Sequence, residues 1–370
     1  MIKNKRYFKI FTNWEYVLLI ISVPCIEIIE FFFIKGGSVS ETYVSSNSLV
    51  PYLYFLVFLI IVCRSGFDLK QVGLLIYLIL NTLLYNQFSL ANNASYLIPY
   101  ILACSLLILN PQAPIELNKK QENTVIAFYF FIIFFYYYFA QDRLYEDRFY
   151  LVGFVIPHQF SYYCAIFTFY LLSKNKVYLA IIATIAGAYV GARSGLIASA
   201  IGYLFYFFII NKKQKSSIIG PVIMIAFLIM FYLYLDGSLI NKVFEGFNSS
   251  SSDDTRTLLW LNMWNVVYQD GIDFINIFGR GPRSSYTFNS SSLGLDLWMH
   301  NDLFEILFTL GILGLLIYFY SFYKFYNNYK NYFAVLFLLV LIITNGFFTY
   351  IPLTMIVFFR LLPNKISENS

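Results

Sequence analysis

Long runs of apolar residues, separated by short polar breaks, follow one another along almost the whole chain. A bilayer core is about 30 Å thick, and an α-helix needs about 20 mostly apolar residues to cross it. The runs therefore predict an all-α, polytopic membrane protein of about twelve transmembrane helices. The predicted crossings are 14–34, 48–63, 68–86, 94–110, 123–140, 151–172, 176–192, 195–210, 217–235, 302–323, 331–350 and 351–363.

The first apolar run follows four basic residues, as the core of a signal peptide does. It is longer than such a core, contains Glu27 and Glu30, and lacks a cleavage site of small residues. We interpret it as an uncleaved first crossing. The last two runs are short and flank the segment 345–352, so they are interpreted as half-helices of a broken crossing.

One long polar interval divides the chain. Residues 1–235 contain the first nine predicted crossings, 236–301 form a large loop, and 302–370 contain the C-terminal crossings. Within the loop, apolar residues at helical spacing predict an amphipathic helix from about 254 to 269. Its apolar positions are Trp260, Met263, Trp264 and Val267, its N-cap is Ser252 or Asp253, and Gly271 ends it.

Serine-rich segments flank this predicted helix at 248–252 and 289–292. Such composition is typical of flexible linkers. The loop is therefore predicted to be a mobile lid with a rigid helical centre, lying on the membrane surface or over a cavity.

The composition agrees with a membrane protein, because 59% of the residues are hydrophobic and only 12% are charged. Cytoplasmic loops of membrane proteins are rich in Lys and Arg. With both termini in the cytoplasm, most basic residues fall on the inner side and the loop 236–301 lies outside. The inner segments then contain 14 Lys and 3 Arg, whereas the outer segments contain 2 Lys and 6 Arg.

The outer preference for arginine indicates an anionic ligand. A guanidinium group binds phosphate through two parallel hydrogen bonds and tolerates partial burial. The alternative is that these arginines pair with nearby carboxylates. The outer arginines are Arg143, Arg148, Arg193, Arg256, Arg280 and Arg283, and the carboxylates are Asp142, Glu146, Asp147, Asp253, Asp254 and Asp273.

Two polar stretches lie between crossings on the predicted outer side. In 148–159, Arg148 precedes a crossing that contains Pro157 and His158. Helix-breaking or ionisable groups at membrane depth usually line a cavity, although His158 is equally consistent with a buried, hydrogen-bonded core residue. In 190–196, two glycines flank Arg193, which either binds a ligand between two helices or extends to the membrane surface.

Two further stretches lie in or directly after the loop. In 278–283, Gly279 and Gly281 predict a tight turn that presents Arg280 and Arg283. In 298–314, Asn301 or Asp302 is predicted to cap a helix with Glu305 in its first turn. His300 would then lie at the helix N-terminus, where it is a candidate general base or part of the cap.

The sequence lacks the residue patterns that several other kinds of chemistry require. The four cysteines fall in separate predicted crossings and are therefore predicted to be buried core residues. The sequence has only two histidines, no nucleotide-binding loop and no nucleophile elbow. We therefore expect no metal centre and no cofactor.

The four stretches together resemble the O-antigen ligase and Wzy-type polymerase superfamily, membrane glycosyltransferases of the GT-C class. The resemblance covers roughly 145–325, with nine crossings before the long loop. The matching residues are Arg193 in GARSGL, Arg256, Trp260 and the turn 278–281, and then His300, Asn301, Glu305, Gly311 and Gly314. Upstream, Arg148, Phe149 and Pro157 resemble a further motif, in which His158 stands where the family has an asparagine.

The resemblance implies transfer of a glycan from an undecaprenyl-diphosphate carrier to a sugar hydroxyl, without metal or nucleotide. His300 and Glu305 would be catalytic, with Glu305 orienting His300 or the acceptor. Arg193, Arg256, Arg280, Arg283 and Arg148 would bind the diphosphate. The implied location is the outer face of a bacterial plasma membrane, where the partners are lipid-linked glycans, membrane lipid, a chain-length regulator and a flippase, and not nucleic acid.

Three functions remain open from the residues. A polymerase that joins repeat units is favoured over a ligase that passes finished O-antigen to lipid A core. A flippase of lipid-linked oligosaccharides would also have many helices and cationic residues. It should, however, place its arginines along a central path and show internal repeat symmetry, whereas here the arginines gather on one side.

Overall fold

The computed structural model describes residues 12–33, 49, 117–145, 148–190, 193–207, 255–271, 273–281, 284–294 and 301–329, together with single residues between 53 and 81. Its nine helices within these ranges are α1 Asn13–Phe33, α2 Lys119–Phe139, α3 Pro157–Ser173, α4 Val177–Tyr189, α5 Arg193–Phe205, α6 Thr255–Asp270, α7 Phe274–Phe278, α8 Ser284–Leu293 and α9 Asp302–Tyr329. The predicted crossings 94–110, 217–235, 331–350 and 351–363 lie outside the described residues.

The residues that the structure describes form the helices of a membrane protein. Within it, α1, α2 and the segment Asp302–Tyr320 of α9 are long and apolar enough to cross a bilayer. Helices α4 and α5 are apolar but shorter. The helical class is thus confirmed, whereas the count of twelve crossings stays a prediction.

Helix α3 is the centre of a helical bundle, and it is buried on nearly every face. Small residues allow its neighbours to approach closely: Gly195 of α5 packs on the backbone of Ser161, and Gly202 packs on Phe169. The two contacts run in the same direction, so α3 and α5 are parallel. Gly187, near the end of α4, packs on Cys164, so the end of α4 and the start of α5 meet next to the start of α3.

A two-stranded antiparallel hairpin, which the sequence analysis did not predict, joins α2 to α3. Its strands are β1 Gln141–Tyr145 and β2 Arg148–Val152, with Arg143 opposite Tyr150. The predicted crossing 151–172 is therefore wrong at its start, because α3 begins only at Pro157. Proline favours the first position of a helix, and it holds the preceding residue in an extended conformation.

Ion pairs join chain segments at the opposite end of this bundle. Glu122, in the first turn of α2, pairs with Lys176 at 3.0 Å and with Lys174 at 3.8 Å. Glu15, at the start of α1, pairs with Arg64 at 2.9 Å. The start of α2 and the α3–α4 turn thus lie together, as expected for segments on one membrane side, and which side they face stays a prediction.

Candidate functional site

Helix α9 is bent at Gly311, whose backbone has a φ of 69°. The bend separates a first segment, Asp302–Leu310, from the remainder of the helix. A break of this kind leaves carbonyl groups without their helical partners, which is costly in an apolar environment. The segment 278–281 supplies the missing donors.

The amide of Arg280 donates to the carbonyl oxygen of Phe308 at 3.0 Å, and the amide of Gly281 donates to that of Thr309 at 2.9 Å. The hydroxyl of Tyr77 donates to the carbonyl oxygen of Leu310. We call the two amide bonds from Arg280 and Gly281 to Phe308 and Thr309 the carbonyl clamp. It fixes the predicted turn against the bend of α9.

Two glycines make the carbonyl clamp possible. A Cβ at Gly279 would overlap the carbonyl oxygen of Thr309 and the amide of Gly311, and a Cβ at Gly311 would overlap the backbone of Ile277 and Gly279. Both glycines also have positive φ, which side chains rarely tolerate. The sequence analysis predicted the tight turn at Gly279 and Gly281, and the structure confirms it.

The side chain of Arg280 lies directly beside the clamp. Its Nη1 donates to Oδ1 of Asn276 at 3.0 Å, and its guanidinium carbon lies 4.6 Å from the centre of the Phe308 ring. Both contacts restrict its rotamers. The result is a half-buried, oriented guanidinium, which suits recognition of a phosphate-like anion.

Glu305 lies three residues before Phe308 on the same helix and is 6% exposed. The hydroxyl of Ser285, which is fully buried on α8, donates to Oε1 of Glu305 at 2.6 Å. Asn301 is the N-cap of α9, because its Oδ1 accepts from the amide of Leu303 at 2.9 Å. His300, which directly precedes this cap in the chain, lies outside the described residues.

Helix α6 packs on the first segment of α9. Leu259, Met263 and Phe308 form a buried cluster, and the Trp260 ring stacks on Phe304 at 5.5 Å between centroids. The predicted helix 254–269 is confirmed as 255–270. Trp264, however, is 50% exposed and lies outside this face.

Helix α8 corrects a second prediction. The serine-rich segment 289–292 was expected to be flexible, but it forms the second half of this helix. Asn289 is buried there, and Asn262 of α6 donates to the hydroxyl of Ser292 at 2.8 Å. The hydroxyls of Ser291 and Ser292 also donate to the carbonyl oxygen of Phe288, one turn earlier, so these polar groups are satisfied within the helix.

Residues 178–319 match the family model described as O-antigen ligase. We call this matching part of the chain the O-antigen ligase domain. No curated protein and no solved structure matches the chain. The family covers O-antigen ligases and related polymerases, which supports an enzyme of the glycosyltransferase kind acting at a bacterial membrane.

The O-antigen ligase domain contains the whole of α5 to α8, the carbonyl clamp and most of α9. It also contains the predicted site residues Arg193, Arg256, Arg280, Arg283, His300 and Glu305. Arg148 and Pro157 precede it. The upstream motif is therefore separate from the matched region in sequence.

The structure brings Arg280 and Glu305 to one group of helices around the bend of α9. Arg193 is the first residue of α5, Arg256 is the second residue of α6, and Arg148 is the first residue of β2. Arg283 and His300 lie outside the described residues. The convergence of all these residues on one cavity stays a prediction.

A buried polar group near the start of α3 was not anticipated by the sequence analysis. Gln159 donates to Oε1 of Glu27, and the hydroxyl of Tyr163 donates to Oε2 of Glu27 at 2.7 Å. Glu27 lies in a candidate membrane span. An ionisable residue in such a span is the sequence signal that marks this position.

The sequence analysis also missed Ser285, Tyr77 and Asn81. Tyr77 and Asn81 both donate to the carbonyl oxygen of Phe278, so a segment from the N-terminal part of the chain supports the O-antigen ligase domain. These residues have no motif of their own, and only the fold shows their contacts.

Proposed function

We propose that this chain is a polysaccharide polymerase that joins undecaprenyl-diphosphate-linked oligosaccharide repeat units on the outer face of the plasma membrane. The observation that carries the proposal is the O-antigen ligase domain, in which the carbonyl clamp holds an arginine beside the helix that carries Glu305. His300 precedes the cap of that helix. A cation and a base are the two groups that the reaction requires.

In the proposed reaction, a sugar hydroxyl of the acceptor attacks the anomeric carbon of the donor glycan. The new bond joins these two atoms, the bond from the anomeric carbon to the diphosphate oxygen breaks, and the lipid diphosphate leaves with the electron pair. Negative charge develops on the leaving group, where preorganised cations stabilise it most. We assign this role to Arg193 and Arg256, assisted by Arg148, Arg280 and Arg283.

The proton of the acceptor hydroxyl passes to a base, to which we assign His300. The carboxylate of Glu305 orients His300 or the acceptor. Ser285 already fixes one oxygen of that carboxylate, so its direction is set before substrate binds. The reaction needs neither a metal nor a nucleotide, because the lipid diphosphate is itself the activated donor.

A ligase that transfers finished glycan to lipid A core is the second candidate, and the description of the matching family favours it. The two reactions share donor chemistry and differ in acceptor. Purified protein supplied with synthetic lipid-linked repeat units should produce a ladder of long chains on a gel. Transfer of labelled donor glycan only to an added lipid A core acceptor would identify a ligase instead.

The assignment of His300 is tested with His300→Ala. Binding of the lipid-diphosphate donor should stay close to wild type, because the base contacts the acceptor. Chain elongation should fall by roughly 10²- to 10⁴-fold, the usual contribution of a positioned general base. Donor binding and elongation are measured side by side on the same preparation.

Elongation at the wild-type rate by the His300→Ala protein would remove His300 from the mechanism. Lost donor binding with little further loss of turnover would make it a carrier ligand and leave Glu305 as the base. Movement of lipid-linked oligosaccharide across vesicles, without any new glycosidic bond, would instead identify a flippase.

A further inference from the structure

Helices α6 and α7 expose a second set of apolar side chains, on the side opposite their contact with α9. On α6, these side chains recur at helical spacing and form one stripe, and α7 extends the set. We call it the α6–α7 apolar face. Its members are Leu258, Leu261, Trp264 and Tyr268 of α6 and Phe274, Ile275 and Ile277 of α7.

This face has no charge along most of its length. From 257 to 269 the sequence contains no Asp, Glu, Lys or Arg, and neither does 274–279. The acidic residues of the segment, Asp270 and Asp273, lie at the turn between the two helices. Trp and Tyr on such a face are typical of a membrane interface.

The depth at which α6 and α7 dock on α9 indicates what covers the face. An α-helix rises 1.5 Å per residue, so Phe308, which packs on Leu259 and Met263, lies about 9 Å along the axis from Asp302. Gly311, which contacts α7, lies about 13 Å along it. With the hydrocarbon taken to begin where the candidate span begins, at Asp302, both contacts fall within the half of the bilayer core that adjoins this end.

At two places, the backbone of the segment meets the requirement for such a depth. Irregular backbone is tolerated inside a bilayer only where protein satisfies its polar groups. The amides of Gly279, Arg280 and Gly281 all donate to backbone carbonyls. Near the end of α6, the side-chain amide of Asn276 donates to the carbonyl oxygens of Val267 and Gly271.

Helix α8 provides the contrast. Its exposed positions include Thr287, Ser291 and Ser292, so its outer surface is polar. Of the exposed residues from 258 to 269, only Asn265 and Gln269 are polar. The same group of helices thus has one mostly apolar, uncharged outer surface and one polar outer surface. This difference is expected if a membrane boundary passes between them.

We propose that the α6–α7 apolar face is embedded in one leaflet of the bilayer and contacts lipid acyl chains. The segment 255–281 is then a membrane-embedded element, although it lies within the predicted loop 236–301. Arg280, which the carbonyl clamp fixes against Phe308, then lies at the depth of that ring, within the same leaflet. This proposal does not depend on the reaction that the protein catalyses.

The test uses the full-length protein in lipid nanodiscs, with Cys25, Cys63, Cys104 and Cys164 replaced by alanine. A nitroxide label is attached to Leu261→Cys or to Tyr268→Cys, both exposed positions of the face, and to the control Ser291→Cys on α8. Relaxation of each label by oxygen, which concentrates in lipid, is compared with relaxation by a water-soluble nickel complex.

For Leu261→Cys and Tyr268→Cys, we expect a ratio of oxygen to nickel accessibility several-fold larger than for Ser291→Cys. Equal ratios at the three sites would place the face in water and overturn the proposal. A label at 261 and 268 that neither reagent reaches would show that protein covers the face, which also overturns it. Two label sites guard against a local effect of one substitution, and neither outcome bears on catalysis.

Discussion

Ser285 and Glu305 form a buried contact between α8 and α9 in which a hydroxyl fixes a carboxylate at 2.6 Å. A hydrogen bond to a charged group contributes about 1.5–3 kcal/mol. If Glu305 orients His300 or the acceptor, most of that energy maintains its direction. Ser285 is then a positioning residue, although it touches no substrate.

Ser285→Ala should therefore lower the turnover of chain elongation by about tenfold, since the carboxylate loses its buried donor. The KM for the donor should stay near wild type, because the proposed function assigns diphosphate binding to the arginines. Steady-state kinetics with synthetic lipid-linked repeat units separates the two constants. Ser291→Ala, at an exposed position of the same helix, is the matched control and should leave both unchanged.

A loss of donor affinity equal to the loss of turnover would show that Ser285 supports the fold in general. The melting temperature of the purified variant, measured beside the kinetics, checks that outcome. Unchanged turnover would mean that the direction of Glu305 does not matter for the reaction.

At the level of elements, the carbonyl clamp requires glycine for two separable reasons, positive φ and close backbone approach. Gly271 has a φ of 66°, close to the 69° of Gly311, but a Cβ there would have nothing within 4 Å. Gly271→Ala therefore measures the backbone strain alone, about 1–2 kcal/mol. Gly311→Ala adds the steric conflict with Ile277 and Gly279.

We expect Gly311→Ala and Gly279→Ala to reduce thermal stability clearly more than Gly271→Ala does, and to abolish chain elongation. The measurement is thermal unfolding of each detergent-solubilised variant, followed by the elongation assay. If the three variants lose the same stability, then backbone conformation, and not the contact between the turn and α9, explains the glycines.

Helix α6 and the start of α9 could be predicted because their signals are local, whereas α7 was not predicted and half of α8 was expected to be flexible. The bounds of α6 followed from apolar spacing and Gly271, and the start of α9 followed from Asn301. The start of α3 was placed too early because Val152 to Val155 are apolar, although Pro157 already indicated a boundary. Ser285, Tyr77 and Asn81 could not be found, since their partners are set by packing between distant segments.

At the level of the whole molecule, Arg193 and Arg256 begin two different helices of the O-antigen ligase domain, and the proposed function brings them to one diphosphate. Lys keeps the charge of Arg but loses its planar pair of donors. Arg193→Lys and Arg256→Lys should therefore both impair chain elongation while protein levels stay near normal. Polymer length on gels and immunoblots of membranes measure the two effects.

Arg64→Lys is the matched control for these variants. Arg64 pairs with Glu15 at an exposed site, where exchange of one cation for another changes stability little, so polymer length should not change. Full elongation by both Arg193→Lys and Arg256→Lys would show that these two positions supply charge only and do not bind the diphosphate through paired hydrogen bonds.

The carbonyl clamp also has a consequence for the order in which the protein assembles during synthesis. The turn 279–281 precedes the carbonyl groups that it binds, and Tyr77, which bonds to the neighbouring carbonyl of Leu310, precedes it by 233 residues. The ribosome must therefore complete α9, and the membrane must accept it, before the turn finds its partners. A nascent chain stopped before residue 302 should expose 255–294 to added protease, whereas one extended beyond 329 should protect it.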